Sequence, residues 1–262
     1  MSSSIRAKKS LGQHFLADQN IAKKIVGALD PQIKGPVLEV GPGMGALTRF
    51  LIEREEINLY LIEIDAKSVG YLNENYPEIK NKIIQEDFLK FDLNKNFTEP
   101  VTIIGNFPYN ISSQIFFKIL DNKNHVNQVV CMVQKEVAER IRSAPGSKIY
   151  GILSILIQAY FHVDLLFSVP GKVFIPPPKV MSSVIRLSRN DTHSLDCNEE
   201  LFRKVVKSSF NQRRKTLRNS LKTILLNLEL DHPWMSRRPE QLSVDEFVEL
   251  TCMVEEKLEN SL

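Results

Sequence analysis

Apolar residues along this 262-residue chain follow two different periods. Between Asp18 and Leu29 they recur at helical spacing. Ile21, Ile25 and Leu29 share one face, Asp18 is placed to cap the first turn, and Pro31 stops the helix. From residue 37 the apolar positions become contiguous: Val37 to Val40, Leu59 to Ile62, Lys82 to Gln85, Val101 to Gly105 and Asn127 to Val133. Such short runs suit strands buried on both faces. Helical stretches separate them, which predicts successive β-α units and a mainly parallel sheet with helices on both faces. Residues 161–169 and 183–188 read as two further strands. The proline-rich loop between them leaves no room for a crossover helix, so an antiparallel pair at the sheet edge is expected. After Thr192 the pattern is wholly helical, and residues 196–262 predict a small α-helical domain broken near Pro233 and Pro239. The expected fold class is α/β, with one domain over residues 1–190, including an N-terminal segment and helix over 1–36, and a second over 191–262.

Composition agrees with this picture. With 43% apolar residues the chain can bury a sizeable core. No apolar run is long enough to span a bilayer, and Met1 to Arg6 lacks the apolar region of a signal peptide. Cys131, Cys197 and Cys252 are scattered and odd in number, which argues against a disulfide framework or a zinc site and fits a reducing cytosol. The five histidines show no ligand spacing, so no metal is expected.

Charge changes the picture more. The net +3 conceals a segregation: residues 202–222 carry Arg203, Lys204, Lys207, Arg213, Arg214, Lys215, Arg218 and Lys222 with no acid. Residues 1–24 carry Arg6, Lys8, Lys9, Lys23 and Lys24 against Asp18 alone, which leaves the rest of the chain at −9. A helix-compatible block of eight cations repels itself unless an anion is near, and a phosphate backbone is the natural partner.

Candidate chemistry gathers at the strand ends. Val37 to Val40 runs into Gly41-Pro42-Gly43-Met44-Gly45 and then a helix pattern. Alternate glycines allow a tight turn and let a ligand reach main-chain N–H groups at the helix start. Their spacing is not the G-x-G-x-x-G of dinucleotide enzymes. Leu59 to Ile62 ends at Glu63 and Asp65, where a carboxylate would meet a ribose diol in a doubly wound sheet, and Lys82 to Gln85 ends near Asp87. Glu39, Glu63 and Asp87 thus recur at one sheet edge, which with the glycine turn suits a nucleoside cofactor. Directly after Val101 to Gly105 stands Asn106-Phe107-Pro108-Tyr109. Asn106 can accept a hydrogen bond from an amine, Pro108 stiffens the backbone and Tyr109 offers a π-face. The group suits a nucleobase whose exocyclic amine is modified; the same residues would also serve as a plain strand-end turn.

The chain resembles a known family almost end to end. Gly12-Gln13-His14-Phe15-Leu16, Glu39 through Thr48, Glu63-Ile64-Asp65, Asp87-Phe88 and Asn106 to Tyr109 carry the first part of the match. Pro145 to Gly151, Phe174 to Val180, Phe210 to Asn219 and Arg238 to Ser243 carry the rest. In that order they are similar to the bacterial small-subunit rRNA adenine dimethyltransferases, the KsgA type, within the wider group that includes the Erm resistance methyltransferases. Phe107 stands where Leu or Ile is more usual, and Met181 where an acid is commoner.

The resemblance implies a Rossmann-like seven-stranded methyltransferase sheet, a small C-terminal α-helical RNA-binding domain, and S-adenosylmethionine as methyl donor. It implies dimethylation of adenine amines in 16S rRNA by a cytoplasmic monomer acting on an assembling small subunit. By position, Gly41, Gly43 and Gly45 would approach the methionine and ribose of the donor, and Glu63 would bind the ribose hydroxyls with Ile64 alongside. Asp87 would accept from the donor's adenine amine with Phe88 beside it. Gln13 and His14, with Leu16, would close over donor or target, and Glu39 would orient the glycine loop. Asn106, which also borders the donor, and the Phe107 carbonyl would accept from the target amine and aim its lone pair, with Pro108 holding the turn. Tyr109 and Phe174 would stack on the two faces of an unstacked base, while Lys179, Arg213, Arg214, Lys215 and Arg218 grip the RNA backbone. Three other readings share these residues: an Erm-type enzyme of large-subunit rRNA, a DNA adenine methyltransferase, and a non-catalytic assembly factor.

Overall fold

The computed structural model describes residues 12–33 and 35–261; the basic stretch with Arg6, Lys8 and Lys9 lies outside the described residues. In chain order the strands are β1 (Phe15–Leu16), β2 (Pro36–Val40), β3 (Asn58–Ile62), β4 (Ile83–Ile84), β5 (Val101–Asn106), β6 (Val126–Gln134), β7 (Phe161–Val169), β8 (Phe174–Ile175) and β9 (Ser182–Arg189). The helices are α1 (Gln19–Val26), α2 (Thr48–Leu51), α3 (Ala66–Asn75), α4 (Leu93–Asn96), α5 (Ser112–Asp121), α6 (Lys135–Arg142), α7 (Ile152–Gln158), α8 (Glu199–Asn211), α9 (Leu217–Ser220) and α10 (Val244–Glu259).

Seven strands form one sheet in the order β4-β3-β2-β5-β6-β9-β7. The β4-β3-β2-β5-β6 part is parallel, and β2 and the first five residues of β5 are buried throughout, as strands covered on both faces must be. β9 runs antiparallel to β6, from Gln128↔Ser188 to Gln134↔Ser182. Ser168 meets Ser183, and Asp164 meets Arg186 at 2.9 Å. Those two contacts run in opposite chain directions, so β7 and β9 form the expected antiparallel edge pair. β4 is shorter than the sequence pattern implies, because Pro77–Lys82 winds into a 3-10 turn immediately before it.

α1 begins where Asp18 accepts hydrogen bonds from Asn20 and Ile21 N–H groups, at 2.8 and 3.1 Å. It ends at Val26, three residues earlier than its apolar spacing suggests; Gly27 caps it, and Leu29 is still buried. Ile25, Leu51, Leu61, Leu72 and Ile104 belong to the core around the sheet. A second, two-stranded pairing was not foreseen: Phe15↔Ile175 and Leu16↔Phe174 join β1 to β8 within the proline-rich loop.

By its own contacts the chain divides into two compact units, the residues up to Ala138 with Val163–Arg189, and Glu139–His162 with the residues from Asn190 onward. The second unit therefore draws in residues 139–162, which the pattern alone places with the sheet. The reason is α7: Leu153, Ile155, Leu156 and Ile157 bury it nearly all round, and it packs against α8 and α10. Those helices contribute Phe202, Val205 and Val206, and Phe247, Leu250 and Val254. α10 starts with a reciprocal cap in which Ser243 Oγ accepts from Glu246 N–H and Glu246 accepts from Ser243 N–H, at 3.1 and 2.8 Å. No described helix is long and apolar enough to cross a membrane.

Candidate active site

Strand order assembles the site. With β4, β3, β2 and β5 adjacent and parallel, their carboxyl ends lie side by side, the position at which doubly wound sheets bind ligands. Val40 pairs with Ile62 and Glu39 with Ile104. Gly41, Glu63 and Asn106 therefore follow at one level on three neighbouring strands. They line a cleft of about 820 Å³ together with Gln13, His14, Leu16, Gly43, Gly45, Ile64, Asp87, Phe88, Phe107, Pro108 and Tyr109. That volume suits a ligand of several hundred daltons.

The glycine loop divides its labour. Gly41 has φ +70°, and a side chain there would meet no atom within 4 Å, so its backbone is bare to the cleft. Gly45, at φ +75°, answers instead to packing: a Cβ would stand 2.6 Å from the ring of Tyr76, whose hydroxyl donates to the Gly45 carbonyl at 3.3 Å. Between them, Gly43 N–H donates to Glu63 Oε2 at 3.0 Å, while Asp65 N–H donates to Glu63 Oε1 at 2.9 Å. Glu63 thus ties the loop to the end of β3. Its burial pushes the carboxyl up from the ordinary value, and the two N–H groups pull it back down. Asp65, which the sequence offered beside Glu63, caps α3 through Lys67 N–H and the Ser68 hydroxyl.

Glu39 is fully buried and accepts from the Thr48 hydroxyl at 2.6 Å, joining β2 to the helix after the loop. Burial pushes its carboxyl up to about 8, opposed by Thr48 and reinforced by the charge of Glu63. A group protonated in the fold at a pH where the unfolded chain has lost its proton makes stability fall as pH rises, here between about 4.5 and 8. Glu39→Gln keeps the Thr48 bond and removes the titration. Its melting temperature should therefore exceed that of the natural protein at pH 8 and approach it at pH 5, read from thermal unfolding across that range.

Asp87 accepts from Leu89 N–H at 3.0 Å in its own turn and lines the cleft, and Phe88 is buried beside it. Ile64 is 52% exposed, an apolar surface turned to the same cleft.

At the β5 end, Asn106 Nδ2 donates to the His14 carbonyl at 2.9 Å. A carbonyl can only accept, so this bond fixes which way the amide faces and turns Oδ1 away from His14. The Pro108 and Tyr109 carbonyls are taken by Ile111 N–H and the Ser112 hydroxyl, each at 3.2 Å, which closes the turn. The Phe107 side chain is buried edge-on against Phe116, so only its backbone serves the cleft. Tyr109 is locked by a short hydrogen bond between its hydroxyl and Ser182, and its ring stacks on His14 with centroids 5.4 Å apart and planes 25° apart.

Two sequence expectations are corrected here. Phe174 does not face the cleft: it is 2% exposed, because its strand pairs with β1 and turns the ring into the core. The ring that meets Tyr109 is His14, and both rings line the cleft. The basic block is not one helix either. α8 ends at Asn211, Arg213 to Lys215 occupy a turn, and α9 starts at Leu217. Arg213 is bound inward, donating to the Ser147 carbonyl at 3.1 Å and lying 3.7 Å from Glu240, whereas Arg214, Lys215 and Arg218 are exposed. Arg213→Ala should accordingly lower unfolding stability by about 1–2 kcal/mol in denaturant titration, a charged hydrogen bond discounted for partial exposure. Lys179 is exposed. No local pattern pairs Tyr76 with Gly45, Pro176 with His14 or Ser182 with Tyr109, since each meets a partner distant in the chain.

Residues 4–255 match the family model for ribosomal RNA adenine dimethylase. The chain is 55% identical over 257 residues to Ribosomal RNA small subunit methyltransferase A of Parabacteroides distasonis, covering 97% of this chain and 96% of that protein. It is 54% identical to the protein of the same name from Bacteroides thetaiotaomicron, covering 98% and 97%. Among solved structures, a dimethyladenosine transferase from Plasmodium falciparum superposes with a TM-score of 0.73 at 24% identity, covering 93% of this chain and 98% of that one. The 23S rRNA methyltransferase ErmE does so at 0.64 and 24%, covering 90% and 99%. These two likenesses bear on the fold, a Rossmann-like methyltransferase sheet. With the family model spanning nearly its whole length and relatives above half identity, the chain belongs to the ribosomal RNA adenine dimethylase family.

Proposed function

We propose that this protein dimethylates the exocyclic amine of adenines in 16S rRNA, using S-adenosylmethionine, and acts as a cytoplasmic monomer on an assembling small subunit. The observation that carries the reading is the amide of Asn106, held by the His14 carbonyl in a nucleoside-sized cleft that the ring of Tyr109 also lines. When bound, S-adenosylmethionine supplies a sulfonium methyl, whose transfer to the amine leaves a neutral thioether and releases the amine proton to water.

The chain's own residues hold and aim the reactants. Gly41 gives the donor bare backbone, Glu63 accepts from its ribose hydroxyls, and Asp87, Phe88 and Ile64 surround its adenine. Asn106 Oδ1 and the Phe107 carbonyl accept from the target amine. An adenine amine is a weak nucleophile because its lone pair is delocalised into the ring, and two fixed acceptors favour the pyramidal form that attacks. Tyr109 stacks on the base, which must leave its helix or loop to arrive.

Arg214, Lys215, Arg218 and Lys179 position the RNA through phosphates. Replacing Arg214, Lys215 and Arg218 with Ala should reduce the slope of log affinity against log salt by about 2–3, close to one for each lost phosphate contact. An unchanged slope would make them a merely solvated surface. Radiolabelled methyl uptake by immature small subunits, isolated 16S rRNA and duplex DNA, compared side by side, tests the function. Incorporation into adenines of the rRNA substrates is expected, whereas labelling of DNA alone, or of none, would reject it.

A further inference from the structure

Six large apolar side chains are exposed among the described residues, and three of them fall within positions 175–181: Ile175 at 66%, Val180 at 47% and Met181 at 46%. Single exposed apolar residues need no explanation, but a cluster on a fixed loop does. The loop is held at both ends. β8 pairs with β1, the Pro176 carbonyl accepts from His14 Nδ1 at 2.7 Å, and the Met181 carbonyl accepts from Lys135 N–H at 2.9 Å. Pro176, Pro177 and Pro178 fix φ between these anchors. A loop so restrained presents its apolar side chains without further ordering, which is what a preformed binding element requires.

Its setting selects the partner. Ile175 lines the cleft, and the residue after Met181, Ser182, holds the Tyr109 hydroxyl, so the apolar cluster continues directly from the place where the target base is proposed to stack. No acid occurs from Leu165 to Asn190, while Lys172 and Lys179 are exposed. Apolar side chains interleaved with cations, at the rim of a base-sized cleft, fit the faces of nucleobases and the phosphates between them.

We propose that Ile175, Val180 and Met181 form a wedge that takes up the stacking positions left when the target adenine is drawn out of the RNA, bearing on its two neighbouring bases. The proposal rests on the reading of the protein as an RNA adenine methyltransferase and adds how the base is extracted. Apolar wedges at an unstacked step let a protein offset the loss of base stacking. The residue at position 181 matters for this: an acid there would repel the adjoining phosphates, and methionine does not.

The test uses the full-length protein, the double variant Val180→Ser/Met181→Ser, and an RNA fragment whose methylated adenine has been mapped with the natural protein. Single-turnover transfer is measured on the intact fragment and on one whose two flanking nucleotides are abasic. Parallel copies of both with 2-aminopurine in place of the target adenine, which lack the 6-amine and are not methylated, report extrusion by fluorescence. On intact RNA the variant should transfer about tenfold more slowly, with a weaker fluorescence rise, the scale expected from losing apolar contacts with stacked bases. On abasic-flanked RNA, where the wedge has nothing to rest on, variant and natural protein should agree within about twofold, as a double-mutant cycle of contacting groups requires. Equal losses on both RNAs, or no loss on intact RNA, would overturn the wedge; the latter result would assign the patch to a protein or lipid partner. Failure of the natural protein to methylate any RNA would reject the functional reading itself, and unchanged thermal unfolding of the variant excludes misfolding.

Discussion

Asn106→Ala should slow methyl transfer by about 10²–10³-fold, the cost of removing one fixed polar group from a site where charge develops in the transition state. On the proposed assignment Tyr109 still holds the base and Gly41, Glu63 and Asp87 the donor, so donor affinity, measured by calorimetric titration, should change little. Asn106→Asp sharpens the test. An aspartate retains an acceptor for the amine but has no N–H to give the His14 carbonyl, so a carboxylate oxygen would face a carbonyl oxygen now 2.9 Å from the amide nitrogen. If orientation of the amide matters, Asp should be nearly as slow as Ala. Near-normal rates in Asp would show that any acceptor at position 106 suffices, and a large fall in donor affinity in Ala would place Asn106 chiefly in donor binding.

Glu63→Gln should weaken donor binding by about 100-fold, close to the effect of Glu63→Ala. Both carboxylate oxygens accept main-chain N–H groups, from Gly43 and Asp65, within a residue that is 4% exposed. An amide offers one acceptor and one donor, so its NH₂ must confront one of those N–H groups. A buried donor left unsatisfied costs about 1–3 kcal/mol, and here the loop carrying Gly41 would shift to relieve it. Titration with S-adenosylmethionine measures the loss, and unaltered affinity in Glu63→Gln would remove Glu63 from the donor site. Melting curves separate the two effects, because a loop disordered without loss of the core lowers affinity far more than stability.

The legible part of this protein was local. β2, β5 and β6 are mainly apolar runs, the form that strands buried on both faces of a parallel sheet take. The G-x-G-x-G turn and the acids near the carboxyl ends of β2, β3 and β4 were readable because each is fixed by its own strand end. What remained hidden depends on partners far along the chain. Nothing near Phe174 indicates that its ring turns inward, since that follows from pairing with Leu16. Nothing near Arg213 shows that it bonds Ser147 and faces Glu240. Residues 139–162 join the helical unit because α7 is buried nearly all round, a property that short apolar runs share with strands.

The sequence by itself therefore determined the strands of the seven-stranded sheet, where the glycine turn lies and which polar groups stand at the sheet edge, since hydrophobic period and turn chemistry act over a few residues. Only the tertiary structure decided which way the Asn106 amide faces, that Glu39 is buried enough to hold its proton, and that His14 rather than Phe174 meets Tyr109. Those outcomes are set by contacts between residues up to 162 positions apart, as between His14 and Pro176, and no local pattern encodes the dielectric, packing or hydrogen-bond partner that such a contact supplies.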